Sequence, residues 1–239
     1  VEQKIISSGK SIYDSSTNTN LVRVDILAAL QPALSYVSAP QNGSVLNSTA
    51  ATISISSDVD LAKAWLQWTF PDGTVQNLTL VNESPTTFSL SLANLSKGQH
   101  SYQAYGSDAG GMTGTTALQS FIIDNIAPAI SLLAPSANTT LDGEYNFTAA
   151  VHDQHSSLSS VLFIINSSNI SLTYSAVQND SSMIWMTEIN LSELSAGAYT
   201  FTVFANDSLG NKNESATTFS VIVPIVDEFL NVQIVTPAS

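Results

Sequence analysis

The chain has 239 residues, only 10% of them charged, and 19 acidic against 6 basic residues leave a net charge of −13. That balance removes the electrostatic basis for binding nucleic acid or an anionic membrane, and the absence of cysteine removes disulfides and thiol chemistry. No apolar run reaches the roughly 18 residues of a membrane span, and no secretory leader is visible, so an exported chain is expected here in mature form.

Residues 1–31 are too short for a domain and read as an N-terminal tail. A polar, turn-rich stretch runs to Asn20. Then Leu21-Val-Arg-Val-Asp-Ile-Leu27 alternates, with Val22, Val24 and Ile26 on one face. A helix is the competing reading for Leu21 to Leu30, because Ala and Leu dominate its end. Residues 32–125 form the first expected domain. Its strands are Leu34 to Val37, Thr52 to Ser56 with Ile53 and Ile55 inward, and a third carrying Ala64, Leu66, Trp68 and Phe70 on one face. Pro71-Asp-Gly73 is a turn. Thr74 to Val81 is a fourth strand, Phe88, Leu90 and Leu92 line a fifth, and a hairpin closes the domain. Seven short strands with turns about every 8–12 residues read as an immunoglobulin-like sandwich.

Residues 126–224 form the second domain, entered through the short Asn125-Ile-Ala-Pro128. Phe147, Ala149 and Val151 share a face, and Val161, Phe163 and Ile165 align without a gap to Ala64, Leu66 and Trp68. Trp185, Thr187, Ile189 and Leu191 share another. Its last hairpin is the most legible stretch of the chain. Tyr199, Phe201, Val203 and Ala205 face one way, Asn206-Asp-Ser-Leu-Gly-Asn211 turns, and Phe219, Val221 and Val223 run back. Residues 225–239 read as a C-terminal tail with a short strand. Within it, Leu230 to Ser239 repeats the openings Leu34 to Pro40 and Ile130 to Pro135, as the first strand of a further unit would.

The two domains repeat each other. Leu95-Ser-Lys-Gly-Gln-His100 matches Leu194-Ser-Ala-Gly-Ala-Tyr199, and Ser101 to Asp108 matches Thr200 to Asp207. The fold class is therefore all-β: two tandem immunoglobulin-like sandwiches, with strand-forming segments left over at both ends.

Asparagine points to the compartment. Asn-x-Ser/Thr sequons occur at Asn42, Asn47, Asn77, Asn82, Asn94, Asn138, Asn146, Asn166, Asn169, Asn179, Asn190, Asn206 and Asn213, thirteen of the eighteen asparagines. Ser and Thr make up about a quarter of the chain, so chance alone accounts for about four or five. An extracellular or cell-surface protein carrying covalent N-glycans is expected, with sugars supplying the solvation that charges supply elsewhere.

The pattern Tyr199-x-Phe-x-Val-x-Ala-x-Asp207-x-x-Gly210-Asn211 resembles the last hairpin of immunoglobulin-like repeats in bacterial and archaeal surface proteins, over about residues 32–224. Leu194-x-x-Gly-x-Tyr199 is similar to the tyrosine corner of such sandwiches, from which the first domain departs with His100. Dense sequons, scarce charge and absent cysteine resemble extracellular glycoproteins of archaea, thermoacidophiles among them. In that group, thread-like pili are built from β-sandwich subunits joined by a donated strand. The resemblance implies a head-to-tail homopolymer in which Leu21, Val22, Val24, Ile26 and Leu27 enter a neighbouring copy. The alternative is a segment of an S-layer, stalk or adhesin glycoprotein.

Catalytic and metal chemistry finds little footing. His152-Asp-Gln-His155 lacks the helical geometry that brings two histidines to one ion. Asp58, Asp60, Asp108, Asp153 and Asp207 lie near turns, which favour aspartate; a calcium site is the lesser alternative for them, without EF-hand spacing. No cofactor, metal or catalytic residue is expected, and three histidines without cysteine do not make a triad. Trp65, opposite Trp68 on its strand, faces outward and offers a surface for sugar or a protein partner.

Overall fold

The structure is a computed structural model describing residues 10–14, 19–23, 30–179 and 183–222. Of the expected donor-strand residues, Leu21 and Val22 are described, whereas Val24, Ile26 and Leu27 lie outside the described residues, as do Val223 and all of 225–239. The chain divides into two compact units, Val1–Asn125 and Ile126–Ser239.

Two strands precede the first sandwich. β1 (Lys10–Asp14) and β2 (Thr19–Arg23) pair antiparallel as a sheet of their own, with Ile12 opposite Leu21 and Ser11 opposite Val22. The turn-rich reading of residues before Asn20 missed β1, which offers only Ile12 and Tyr13 as strong strand formers.

Unit 1 continues with β3 (Leu34–Ser38), β4 (Ser44–Leu46), β5 (Ala51–Ser57), β6 (Lys63–Thr69), β7 (Val75–Thr79), β8 (Val81–Ser84), β9 (Thr87–Leu92), β10 (Gly98–Ser107), β11 (Thr113–Thr115) and β12 (Gln119–Ile123). One sheet runs β3-β5-β9-β8. The other runs β4-β12-β10-β6-β7, with β11 against β10. The single strand expected over Thr74 to Val81 is thus two strands in different sheets. Leu80 lies between them, is buried, and donates its backbone N–H to Ala64 O at 3.0 Å, so the chain changes sheets around an inward leucine.

Unit 2 repeats the plan with β13 (Ala129–Ala134), β14 (Thr139–Leu141), β15 (Glu144–His152), β16 (Leu158–Asn166), β17 (Ser171–Ser175), β18 (Val177–Gln178), β19 (Ile184–Asn190), β20 (Gly197–Asp207) and β21 (Lys212–Val221). Its sheets are β13-β15-β19-β18 and β14-β21-β20-β16-β17. In both sandwiches the first strand is interrupted by a register shift, between Tyr36 and Ser38 in β3 and between Leu132 and Ala134 in β13. The residue at each shift, Val37 or Leu133, turns outward and is 64% or 48% exposed. The chain then crosses to the opposite sheet, where β4 and β14 lie parallel to β12 and β21.

The inward faces are those the period-two pattern marks. Unit 1 buries Ile53, Ile55 and Phe88 against Leu66, Trp68, Tyr102, Ala104, Phe121 and Ile123. Unit 2 buries Phe147, Ala149, Val151 and Ile189 against Val161, Phe163, Ile165, Phe201, Val203 and Phe219. Each large side chain so buried contributes about 1.5–3 kcal/mol. With no cysteine to bridge the sheets, aromatic contacts fill the centre: Trp68 stacks on Tyr102 at 5.3 Å, and Phe147 meets Phe201 at 4.8 Å.

The corner before β20 is the expected tyrosine corner, Tyr199 Oη donating to Ser195 O at 2.9 Å. In unit 1 the same span is closed by histidine. His100 Nε2 lies 2.8 Å from Ser96 O, and Trp68 Nε1 donates to His100 Nδ1 at 3.1 Å. A carbonyl only accepts, so Nε2 carries the proton and the ring is the neutral Nε2–H form.

Candidate functional site

Eleven of the thirteen sequon asparagines are exposed; Asn166 and Asn206 are half-buried. The alternation that buries Phe147, Ile189 and Leu191 turns Asn146 and Asn190 to solvent. Asn94 and Asn138 occupy left-handed turns, with φ of 56° and 61°, where asparagine is tolerated better than most residues. Asn190 Oδ1 accepts from Ser192 N at 2.9 Å, folding the sequon into an Asx turn that employs the oxygen and not the nitrogen a glycan bonds. Asn42 Oδ1 likewise accepts from Ser120 N at 2.9 Å. Asn166 and Asn206 differ, because the side-chain oxygen of each is buried without a hydrogen-bond partner.

The sheet edges sort the same residues. Each of the four sandwich sheets ends in two strands, and β3, β4, β7, β8, β13, β14, β17 and β18 are those ends among the described residues. Asn77 and Asn82 lie within β7 and β8. Asn47 follows β4 and Asn179 follows β18 directly, Asn138 directly precedes β14, and Asn169 lies two residues before β17. Only β3 and β13 have no sequon within three residues of either end along the chain, and these edges carry the exposed Val37 and Leu133; in space, however, Asn213 Nδ2 donates to Pro128 O at 2.9 Å, beside the start of β13.

Trp65 stands on the outward face of β6. It stacks on Tyr105 of β10, with ring centroids 5.5 Å apart and planes 8° apart, and Lys63 Nζ lies 5.5 Å from its ring centroid. On the other flank, Trp65 pairs across the sheet with Thr79 while Gln67 pairs with Asn77. Lys63, Ala64, Trp65, Asn77 and Thr79 together line an open cavity of about 250 Å³.

Four of the acidic residues expected in turns accept backbone hydrogen bonds, Asp58 from a segment distant along the chain. Asp58 Oδ1 accepts from Ala33 N at 2.7 Å, and Asp108 Oδ1 from Met112 N at 2.9 Å. Asp153 Oδ1 accepts from the backbone of His155 and Ser156. Asp207, 1% exposed, accepts from Leu209 N and Asn211 N through Oδ1 and from Asn211 Nδ2 through Oδ2, while Ser156 Oγ lies 3.2 Å from that second oxygen. Burial pushes its carboxyl pKa up, but the side-chain and backbone donors of Asn211, with Leu209 and Ser156, outweigh this and hold it below the usual aspartate value.

A depressed carboxyl stabilises the fold above the unfolded value of about 3.9, and that stability is lost as pH falls through the lowered folded value. Asp207→Asn is therefore expected to cost about 1–2 kcal/mol at pH 7 and to narrow its gap to the parent protein below about pH 3.9. Denaturant titrations across that range check it; a gap independent of pH refutes it.

Two β-sandwiches built on one strand plan, a tyrosine corner and its histidine counterpart define a tandem immunoglobulin-like protein. A family model described as a bacterial Ig domain matches residues 128–203. Among solved structures, a three-domain immunoglobulin fragment of titin is similar at 13% identity, covering 80% of this chain and 66% of that one, with a TM-score of 0.50. A structure from a 1.5-MDa bacterial ice-binding adhesin is similar at 14% identity, 81% and 66% coverage and a TM-score of 0.45. A tetra-tandem repeat from the extending region of a large adhesion protein follows at 17%, 88% and 55%, with 0.39. The titin likeness bears on fold alone. No curated protein matches the chain in sequence.

Proposed function

We propose that the chain is a structural subunit of an extracellular, N-glycosylated filament that grows head-to-tail by donating its N-terminal strand to a neighbouring copy. The distribution of sequons over the sheet edges carries this reading. A bulky glycan in or beside an edge strand obstructs strand addition, and β3 is the edge left clear, since the Asn213 side chain stands at Pro128 beside the start of β13. An incoming strand there satisfies exposed backbone groups on both partners and covers Val37. The donor is Leu21 to Leu27, whose alternation suits one apolar face against the acceptor. A head-to-tail contact of this kind does not close on itself, so it yields filaments.

The bacterial Ig match over residues 128–203 supports a second reading, a glycosylated spacer within a larger surface protein such as an adhesin or stalk. Negative-stain microscopy and sedimentation of the native chain, a variant lacking residues 1–31, and the pair Val37→Lys and Leu133→Lys separate the two. Loss of filaments in the deletion and in at least one lysine variant, with folded monomers remaining, is the expected result. Filaments of parental length from the deletion overturn strand donation. Glycopeptide mapping is expected to find sugar at most exposed sequons, with Asn166 and Asn206 least occupied because burial hinders access.

A further inference from the structure

We infer that the first sugar residues of a glycan on Asn77 lie against Trp65, making a glycan–indole contact that seals the β7 edge of unit 1. The inference rests on the glycoprotein reading above and adds to it where one sugar sits and what it touches.

The register of β6 and β7 produces the arrangement. Thr79, which completes the Asn77 sequon, lies directly across from Trp65, and Asn77 lies diagonally from it on the same outward face. Diagonal pairs on one face of a sheet stand about 7–8 Å apart, within reach of a large aromatic ring. Asn77 and Thr79 are exposed, and both line the 250 Å³ cavity whose apolar wall is Trp65. Tyr105, stacked on Trp65, is not part of that lining, so the cavity opens on the side of the indole facing β7. A sugar bonded to Asn77 Nδ2 starts inside this space and needs no long reach.

The chemistry is complementary. A pyranose ring presents C–H groups on its flat faces, and these pack against the negative face of an aromatic ring. Its hydroxyls meet Lys63 Nζ, held at the rim over the same indole, and Thr79 Oγ1. The glycan and the indole then cover the flank on which β7 is the last strand of its sheet. Bulk and an occupied aromatic surface on that flank discourage another strand from adding there.

The test is a thermal double-mutant cycle on glycosylated chain from the native host, comparing the parent, Asn77→Gln, Trp65→Val and the double variant, with glycopeptide mapping of each. Valine suits a strand and keeps the fold. Asn77→Gln is expected to lower Tm by about 2–4 °C in the parent and by less than half as much when Trp65 is already valine. Trp65→Tyr, which keeps an aromatic face, is expected to retain most of the coupling. Nuclear magnetic resonance should show the Trp65 indole N–H signal moving on loss of the Asn77 sugar while that of buried Trp68 stays in place. Full occupancy at Asn77 with additive Tm changes and an unmoved Trp65 signal overturns this inference and leaves the glycoprotein reading intact. An empty Asn77 with other sequons filled overturns it at its premise, and empty sequons throughout overturn both. An indole signal that moves only when free saccharide is added also overturns it, by assigning the cavity to an external sugar.

Discussion

Gly114→Ala is expected to destabilise unit 1 by about 3 kcal/mol or more, lowering Tm by more than about 10 °C. Gly114 is buried at the centre of β11, opposite Gly106 of β10. A Cβ there would collide with Pro32 O and lie 2.8 Å from Pro32 C. Those are backbone atoms at the entry to β3, so relief requires moving one strand away from another, not rotating a side chain. Gly106 is tight as well, since its Cβ would approach Leu61 Cδ1 at 2.7 Å, but that atom ends a side chain able to shift. Gly197→Ala is the internal control, with no atom within 4 Å and no positive φ, and is expected to stay within about 0.5 kcal/mol of the parent. Scanning calorimetry measures both. A Gly114→Ala protein melting within 2 °C of the parent would show that β3 does not pack against β11 as closely as the structure has it.

How much of this was readable beforehand depended on whether a residue's role is local. The strand faces of Tyr199 to Ala205 and of Val161 to Ile165 are written in period two, because each inward residue only has to be apolar. The turns at Asp108 and Asp207 were equally plain, since each aspartate binds the backbone four residues on and a glycine follows at positive φ. The crossing at Leu80 was hidden because β7 and β8 read as one polar alternation, and only their partners, β6 for one and β9 for the other, place them in different sheets. β4 and β14 have three residues each and pair parallel with strands far along the chain, so nothing nearby announces them. The sequons themselves are explicit in the sequence. That six edge strands have one close by and two do not became visible only once the edges were known, and Trp65 beside Asn77 required the β6/β7 register.

The departure from the tyrosine corner at His100 leads to a coupled pair of substitutions. His100 is fully buried, stacked on Phe121 at 5.4 Å, and it joins Trp68 Nε1 to Ser96 O through its two nitrogens. His100→Phe keeps a ring of similar shape but leaves the buried indole N–H of Trp68 without a partner, while the carbonyl of exposed Ser96 can turn to water. A loss of about 2–3 kcal/mol is expected. His100→Tyr should lose less, because Tyr199 shows that a phenol at this position reaches the carbonyl four residues back, leaving only Trp68 unpaired. Unit 2 avoids the problem altogether, since Ile165 aligns with Trp68 and asks for no acceptor. Removing the indole donor by Trp68→Phe should therefore make a later His100→Tyr change nearly free. The cycle among these variants is expected to give a coupling of about 1–2 kcal/mol, read from urea unfolding at pH 7. Strictly additive losses would mean that the Trp68–His100 bond contributes nothing, and that histidine holds this corner through Ser96 alone.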